Sequence, residues 1–186
     1  FRSNGNDVAA NATVNLGAGN DVFADLNGGS IVDLGAVIDG GSDEDTLQLQ
    51  LVGAANVVAF KNFEIFDVRG LDHDVDLDIL ASKNNVTKIT ASGAAAASKN
   101  LENVGTGVSY EVTGDMDINA ITLTQKTAGA LTITSNVDEV AADAALNASD
   151  AVVVAANATS LNIVFDNNNI DKLADGYANT AQLVVT

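Results

Sequence analysis

The chain has 186 residues, enough for one ordinary domain that buries roughly 70% of its unfolded surface without staples. It carries 25 acidic and 8 basic residues, a formal charge of -17, so nucleic acid and anionic membrane surfaces are poor partners and cations are natural ones. Cysteine is absent, which excludes disulfides and thiolate metal sites, and no apolar run reaches the ~18 residues of a membrane span. No basic start followed by an apolar core is present, and the chain opens at Phe1 and closes on the apolar run Leu183–Val185; it reads as a segment of a larger polypeptide.

Residues 1–51 are rich in Gly, Asn and Asp. Aspartates preceded by small residues and followed by apolar ones fall at 7, 21, 33 and 45, at intervals of 14, 12 and 12. Self-similarity at a fixed interval is the signature of a stacked coil. The glycines supply positive-φ backbone, and the apolar residue after each Asp points inward as a short strand. Residues 46–51 (TLQLQL) alternate strictly and read as a half-buried strand. Residues 60–70 (FKNFEIFDVRG) hold three of the six phenylalanines and read as a core strand covered on both faces.

The acidic run from Asp72 to Ile79 alternates next, with Asp74, Asp76 and Asp78 on one face and Val75, Leu77 and Ile79 on the other. It reads as a solvated strand face, with a second metal site as the alternative. Short β segments follow at Val86–Ala91, Leu101–Val104, Ser109–Thr113, Asp117–Gln125, Leu131–Thr134, Val152–Ala155, Leu161–Phe165 and Gln182–Thr186, joined by polar links. Short helical stretches are expected at Asp138–Leu146 and Asn169–Ala178, whereas Gly93–Ser98 is too short to stand alone as a helix. Asn157, Asn162 and Asn167–Asn169 could stack as a ladder, Asn being tolerant of left-handed turns. The pattern predicts an all-β chain: a β-solenoid of parallel β-roll or β-helix type with short helices, and a β-sandwich as second choice. Residues 1–80 form a Gly/Asp-rich region, and residues 81–186 a β-rich repeat region continuous with it.

Calcium takes six to eight oxygens from carboxylates and backbone carbonyls. Glycine turns expose carbonyls, and Asp43 and Asp45, two apart in an extended segment, reach one ion. Asp21 and Asp33 close the other turns. The expected ligand-bearing positions are Gly17, Gly19 and Asp21; Gly28 and Asp33; and Asp39, Gly41, Asp43 and Asp45. The bland alternative is a turn-rich solenoid whose acids only keep it soluble. His73 is the sole histidine and, without cysteine, makes no typical zinc site; it reads as a surface residue.

Catalysis finds little support. No Gly-x-Ser-x-Gly is present, the Gly-rich turns lack a phosphate-binding lysine, Trp is absent, and the basic residues are scattered. The chain is not expected to be an enzyme.

Gly40–Leu47 resembles the repeats-in-toxin signature Gly-Gly-x-Gly-x-Asp-x-apolar, with Asp43 in place of the third glycine. Leu16–Phe23 resembles it too, with Leu16 in place of the first. The units here stand 12 to 14 apart rather than nine, and Ile31 stands where a glycine belongs in Gly28–Leu34. Together with Asn62–Gly70, its weaker echo Asn100–Val104, and the Cys-free Ala/Thr/Asn/Val background, the chain resembles bacterial surface-layer proteins of the repeats-in-toxin type, exported by type I secretion. The resemblance implies an extracellular, calcium-dependent β-module of a cell-surface layer that self-associates into a lattice or belongs to a larger chain. A cell-surface polysaccharide is a further implied partner, with no nucleic acid and no membrane insertion. An adhesin or glycan-binding module is the alternative, and a calcium-dependent polysaccharide-active β-helix enzyme the remoter one.

Overall fold

The computed structural model describes residues 2–3, 7–25, 32–92, 96, 98–113, 121–135, 151–165 and 183–185. In order the strands are β1 (Arg2–Ser3), β2 (Thr13–Asn15), β3 (Val22–Asp25), β4 (Val37–Asp39), β5 (Thr46–Gln48), β6 (Phe60–Lys61), β7 (Ile65–Asp67) and β8 (Val75–Asp76). After helix α1 (Leu77–Ala81) come β9 (Lys88–Ala91), β10 (Lys99–Val104), β11 (Ser109–Val112), β12 (Ile121–Ser135), β13 (Ala151–Phe165) and β14 (Leu183–Val185). Every pairing between them is parallel. The chain is a parallel β-solenoid, as its interval of small and acidic residues predicts.

Two walls enclose the core. One runs β1-β3-β5-β7-β9-β11 and on into the second half of β12; the other is made of β2-β4-β6 and, separately, β8-β10 and the first half of β12. Register places Phe23, Leu47, Phe66, Ile89, Tyr110, Ile133 and Ile163 in one inward column, a side chain from each successive rung. Opposite, Val14, Ile38 and Phe60 stack in the second wall. The rings of Phe23 and Phe60 meet across the core, tilted, with centroids 6.3 Å apart. A side chain that alternates inward on a parallel stack meets copies of its own position above and below. Period-2 hydrophobicity in short segments therefore suffices to specify this architecture.

Three sequence expectations change in detail. Residues 46–51 begin as a strand but turn into a 3-10 segment at Leu49–Leu51. Leu47, Leu49 and Leu51 are buried as expected, and so is Gln48. Its Oε1 accepts from Asp25 N at 2.8 Å and its Nε2 donates to Arg69 O at 2.8 Å, so the amide ties three successive rungs. Residues 60–70 form not one strand but β6, a corner and β7. Asn62 (φ 57°) makes the corner, and Phe60, Phe63 and Phe66 all point into the core. The acidic run leaves the strand after Asp76: the Asp76 carboxylate accepts from Asp78 N at 2.9 Å and caps α1. Leu77 and Leu80 then share the buried face at helical spacing, and Ile79, expected inward, is exposed.

Later segments fuse. Ile121–Gln125 and Leu131–Thr134 belong to the single β12, which crosses from one wall to the other. Val152–Ala155 and Leu161–Phe165 likewise belong to β13. The helical expectations at 138–146 and 169–178 lie outside the described residues, as do residues 167–169 and most of 93–98. Asn157 (φ 65°) turns the backbone and donates through Nδ2 to Gln125 O at 3.1 Å, whereas Asn162 lies exposed on the outer face.

Candidate metal centre

The corner between the two walls is built from residues 16–21 in one rung and 40–45 in the next. Position for position they stack 24 apart: Ala18 bridges Ser42 in parallel, and Ser42 N donates to Gly17 O at 3.0 Å. Gly17 (φ 103°) lies beneath Gly41 (φ 114°), and Gly19 (φ 105°) beneath Asp43 (φ 85°). Asp43 thus adopts the backbone that glycine holds one rung earlier, and it stands at the place where the repeat signature has its third glycine. Glycine is forced at two positions. A Cβ on Gly40 would lie 2.0 Å from Asn62 O and 2.8 Å from Asp45 Oδ2, and one on Gly41 would lie 1.9 Å from Gly17 O.

The carboxylates form a ladder along the stack. Asp43 Oδ2 accepts from Gly19 N at 3.0 Å, and Asp45 Oδ1 accepts from Asp21 N at 2.8 Å. One rung on, Glu64 Oε2 accepts from Asp45 N at 3.0 Å. Asn20 Oδ1 runs the other way, accepting from Glu44 N at 3.3 Å. Part of the acidic content therefore satisfies backbone amides that a parallel stack leaves open at its corners.

Two oxygens remain. Asp21 Oδ2 and Asp45 Oδ2 are buried with no hydrogen-bond partner among the described residues. Asp45 is wholly inaccessible. Its burial, together with the charges of Asp21, Asp43 and Asp39, pushes its carboxyl above the usual carboxylate range, against the hydrogen bond from Asp21 N. Among the described residues no cationic side chain pairs with these two oxygens. The nearest lysine pair is Lys61 with Asp39, at 2.9 Å, and Asn62 Nδ2 also reaches Asp39 Oδ1 at 2.7 Å. These two partners hold the Asp39 carboxyl below its ordinary value.

Of the expected metal positions, Gly17, Gly19, Asp21, Gly41, Asp43 and Asp45 come together at this corner, with Asp39 beside it and already paired. Asp33 lies at the opposite end of β4, in the turn whose amide bonds Val8 O, and Gly28 lies outside the described residues. Among the described residues no set of three or more Asp, Glu or His side chains is arranged to hold a metal. What this corner shows that could bear on a cation is therefore the pair of unmet carboxylate oxygens on Asp21 and Asp45, oxygen donors of the kind that hard ions prefer. Glu64 and Asn62 escaped the sequence reading. The corner after β6 has lost residues relative to 40–45, so Glu64 stands 19 from Asp45 and breaks the interval that finds the others.

A second acidic group is accounted for without an ion. Asp72 Oδ1 meets His73 Nδ1 at 2.8 Å, while His73 Nε2 meets Val52 O at 2.5 Å. Asp74 accepts from Asn100 N at 2.9 Å, and Asp76 accepts from Asp78 N and Asn103 Nδ2. These bonds depress the Asp72 and Asp76 carboxyls. No protein-family model, curated protein or solved structure matches the chain.

Proposed function

We propose that this chain is a calcium-stabilised structural β-solenoid, a self-associating module of an extracellular cell-surface assembly. The ion would sit at the 16–21/40–45 corner. One observation carries the reading: two carboxylate oxygens, on Asp21 and Asp45, are buried in an acidic corner with no donor to meet them among the described residues. Leaving such groups unmet costs about 1–3 kcal/mol each, more when charged. A cation removes that cost, and a neutral turn-rich coil would have no reason to incur it.

The affinity follows from the donor count. With two carboxylates and the remainder carbonyl and water, the site belongs with extracellular modules of Kd about 10⁻⁴–10⁻³ M rather than with intracellular sensors. It would stay empty at intracellular calcium and fill outside the cell. Binding to the folded form alone stabilises by RT ln(1 + [L]/Kd), about 2.7 kcal/mol at a hundredfold excess. The acidic surface and the absence of cysteine agree with this setting, and the proposal assigns the chain no reaction. Calorimetric titration with calcium, alongside thermal unfolding in calcium and in chelator, tests it. A melting temperature identical in the two media overturns the calcium reading; calcium-induced particles or sheets would support the assembly.

A further inference from the structure

We propose that the cation at the 16–21/40–45 corner is a clasp on one seam of the coil, the seam between the β2–β3 rung and the β4–β5 rung. Its loss opens the coil at that seam and leaves the later rungs closed. This rests on the calcium reading above and adds what the ion controls: not whether the coil folds, but how much of it is zipped.

The seams differ in what faces across them. At the β2–β3/β4–β5 seam Asp43 and Asp45 reach back to Gly19 N and Asp21 N, and the charges of Asp21 and Asp43 bear on Asp45. No ion pair between described residues crosses it. The later seams are stitched by opposites or by neutral donors. Lys61 meets Asp39 at 2.9 Å, and Asn62 Nδ2 reaches the same carboxylate. Ser92 Oγ donates to Asp67 Oδ2 at 2.6 Å, Asn84 bonds Phe60, Phe63 and Leu80, and Lys88 meets Glu111 at 2.8 Å. Two other buried polar atoms are unmet among the described residues, Tyr110 Oη and Gln125 Oε1, and both belong to uncharged side chains. Unmet buried charge is therefore confined to the one seam.

A coil of stacked rungs is stabilised by the sum of its rungs and of the interfaces between neighbours, so one poor interface can open by itself. Here the glycines bring the two rungs close: a Cβ on Gly41 would lie 1.9 Å from Gly17 O. That approach sets the acids of both rungs in one dry corner, where like charges repel strongly and an unmet oxygen has no water to turn to. A cation held by Asp21 and Asp45 reverses the sign of this one interface and touches no other. Backbone amides report each seam separately. Val37 N, Ser42 N and Thr46 N donate across it to Ala12 O, Gly17 O and Asp21 O, whereas Thr87 N, Ser109 N and Thr113 N donate across later seams to Glu64 O, Thr87 O and Ala91 O.

Residue-resolved hydrogen exchange of the full chain, in calcium and in chelator, tests this, alongside calorimetric titration with calcium. At a calcium concentration about a hundredfold above Kd, the ion should hold the seam closed by a factor of about 100. The amides of Val37, Ser42 and Thr46 should therefore exchange about 100-fold faster in chelator, while those of Thr87, Ser109 and Thr113 keep their rates. Replacing both acids, Asp21→Asn with Asp45→Asn, removes the repulsion and the ion together, so the first three amides should be equally protected in the two media. If the double variant fails to fold, the comparison on the native chain still decides. Heat on titration with both sets of amides accelerating together in chelator overturns the clasp and leaves the calcium reading standing, since the ion then holds the whole coil. A seam that still responds to calcium in the double variant overturns the clasp as well, because the ion then sits elsewhere. No heat and no change in either set removes the calcium reading, and the clasp with it.

Discussion

Replacing Asp45 by Asn changes one charge and almost no volume, and its consequence should reverse sign with the medium. In chelator the native carboxylate is buried, Oδ2 is unmet, and like charges surround it. Two carboxylates about 5 Å apart repel by roughly 3 kcal/mol at an effective dielectric of about 20. An unmet buried acceptor adds about 1–3 kcal/mol. Asparagine keeps Oδ1 as the acceptor for Asp21 N and brings an NH₂ to the side where Asn62 O and Asp45 Oδ2 both crowd Gly40. Discounting for relaxation, the variant should be more stable in chelator by about 1–3 kcal/mol. For a chain of this size that is a rise of about 2–10 °C in Tm. With calcium bound as proposed, a hundredfold excess should stabilise the native chain by about 2.7 kcal/mol and the variant by much less, so its Tm should fall below the parent's. Differential scanning calorimetry of both proteins in both media reads all four values. A shift of the same sign in calcium and in chelator would refute the assignment of Asp45 as a cation-dependent buried charge.

Other consequences follow from the same corner and core. Gly41→Ala drives a Cβ into Gly17 O and should cost about 3 kcal/mol or more in urea unfolding, whereas Gly19→Ala, with open space around it, should cost only the left-handed penalty of about 1–2 kcal/mol. Asp43→Gly relieves a φ of 85° while losing the bond from Gly19 N, so its net effect should lie within about 1 kcal/mol of zero; Asp43→Val loses both and should destabilise clearly. Tyr110 is fully buried and its hydroxyl has no partner among the described residues, so Tyr110→Phe should be neutral or stabilising by about 1 kcal/mol. In chelator, stability should decline as pH rises through the elevated titration of Asp45, because the folded state holds that proton more tightly than the unfolded one. Asp39, Asp72 and Asp76 act oppositely: their carboxyls are depressed, so their contribution is full above the ordinary carboxylate value and is lost as pH falls through the folded one. Urea titrations across the acid range should show both limbs, and Asp45→Asn should remove only the upper one.

The coil is legible because its rules are local. A glycine pair, an acid and an inward apolar residue are enough to mark each half-turn, and the 12-residue interval is visible by eye. What that interval does not reveal is that two such units make one rung. Partners therefore stand 24 apart: Asp21 meets Asp45, while Asp33 faces away at the other end of β4. Reading the units as equals places Asp33 in one series with Asp21 and Asp45, although it stands on a different edge of the coil. Glu64 was hidden for the converse reason, since a shortened corner displaces it from the interval. The switch from strand to helix at Leu77 depends on the Asp76 cap, whose alternating neighbours look like a strand until Leu80, rather than Ile79, is seen to fill the core. Gln48 and Gln125 look like outward polar positions, and only the stacked backbone reveals that they lie within it.

Helix α1 takes the place of a strand in one wall, between β6 and the β8-β10 ladder, while the wall opposite is zipped without interruption from β3 through β11. The two sides of the coil therefore differ in stiffness. Bending that stretches the continuous wall must break strand hydrogen bonds; bending that opens the interrupted wall need only part the helix from its neighbours. Across that seam the side chain of Asn84 acts as a rivet, donating to Phe60 O on one side and Leu80 O on the other while accepting from Phe63 N. A rod built this way has a preferred direction of flexure, set near its middle by one amide, and it yields there before it yields anywhere along the zipped face.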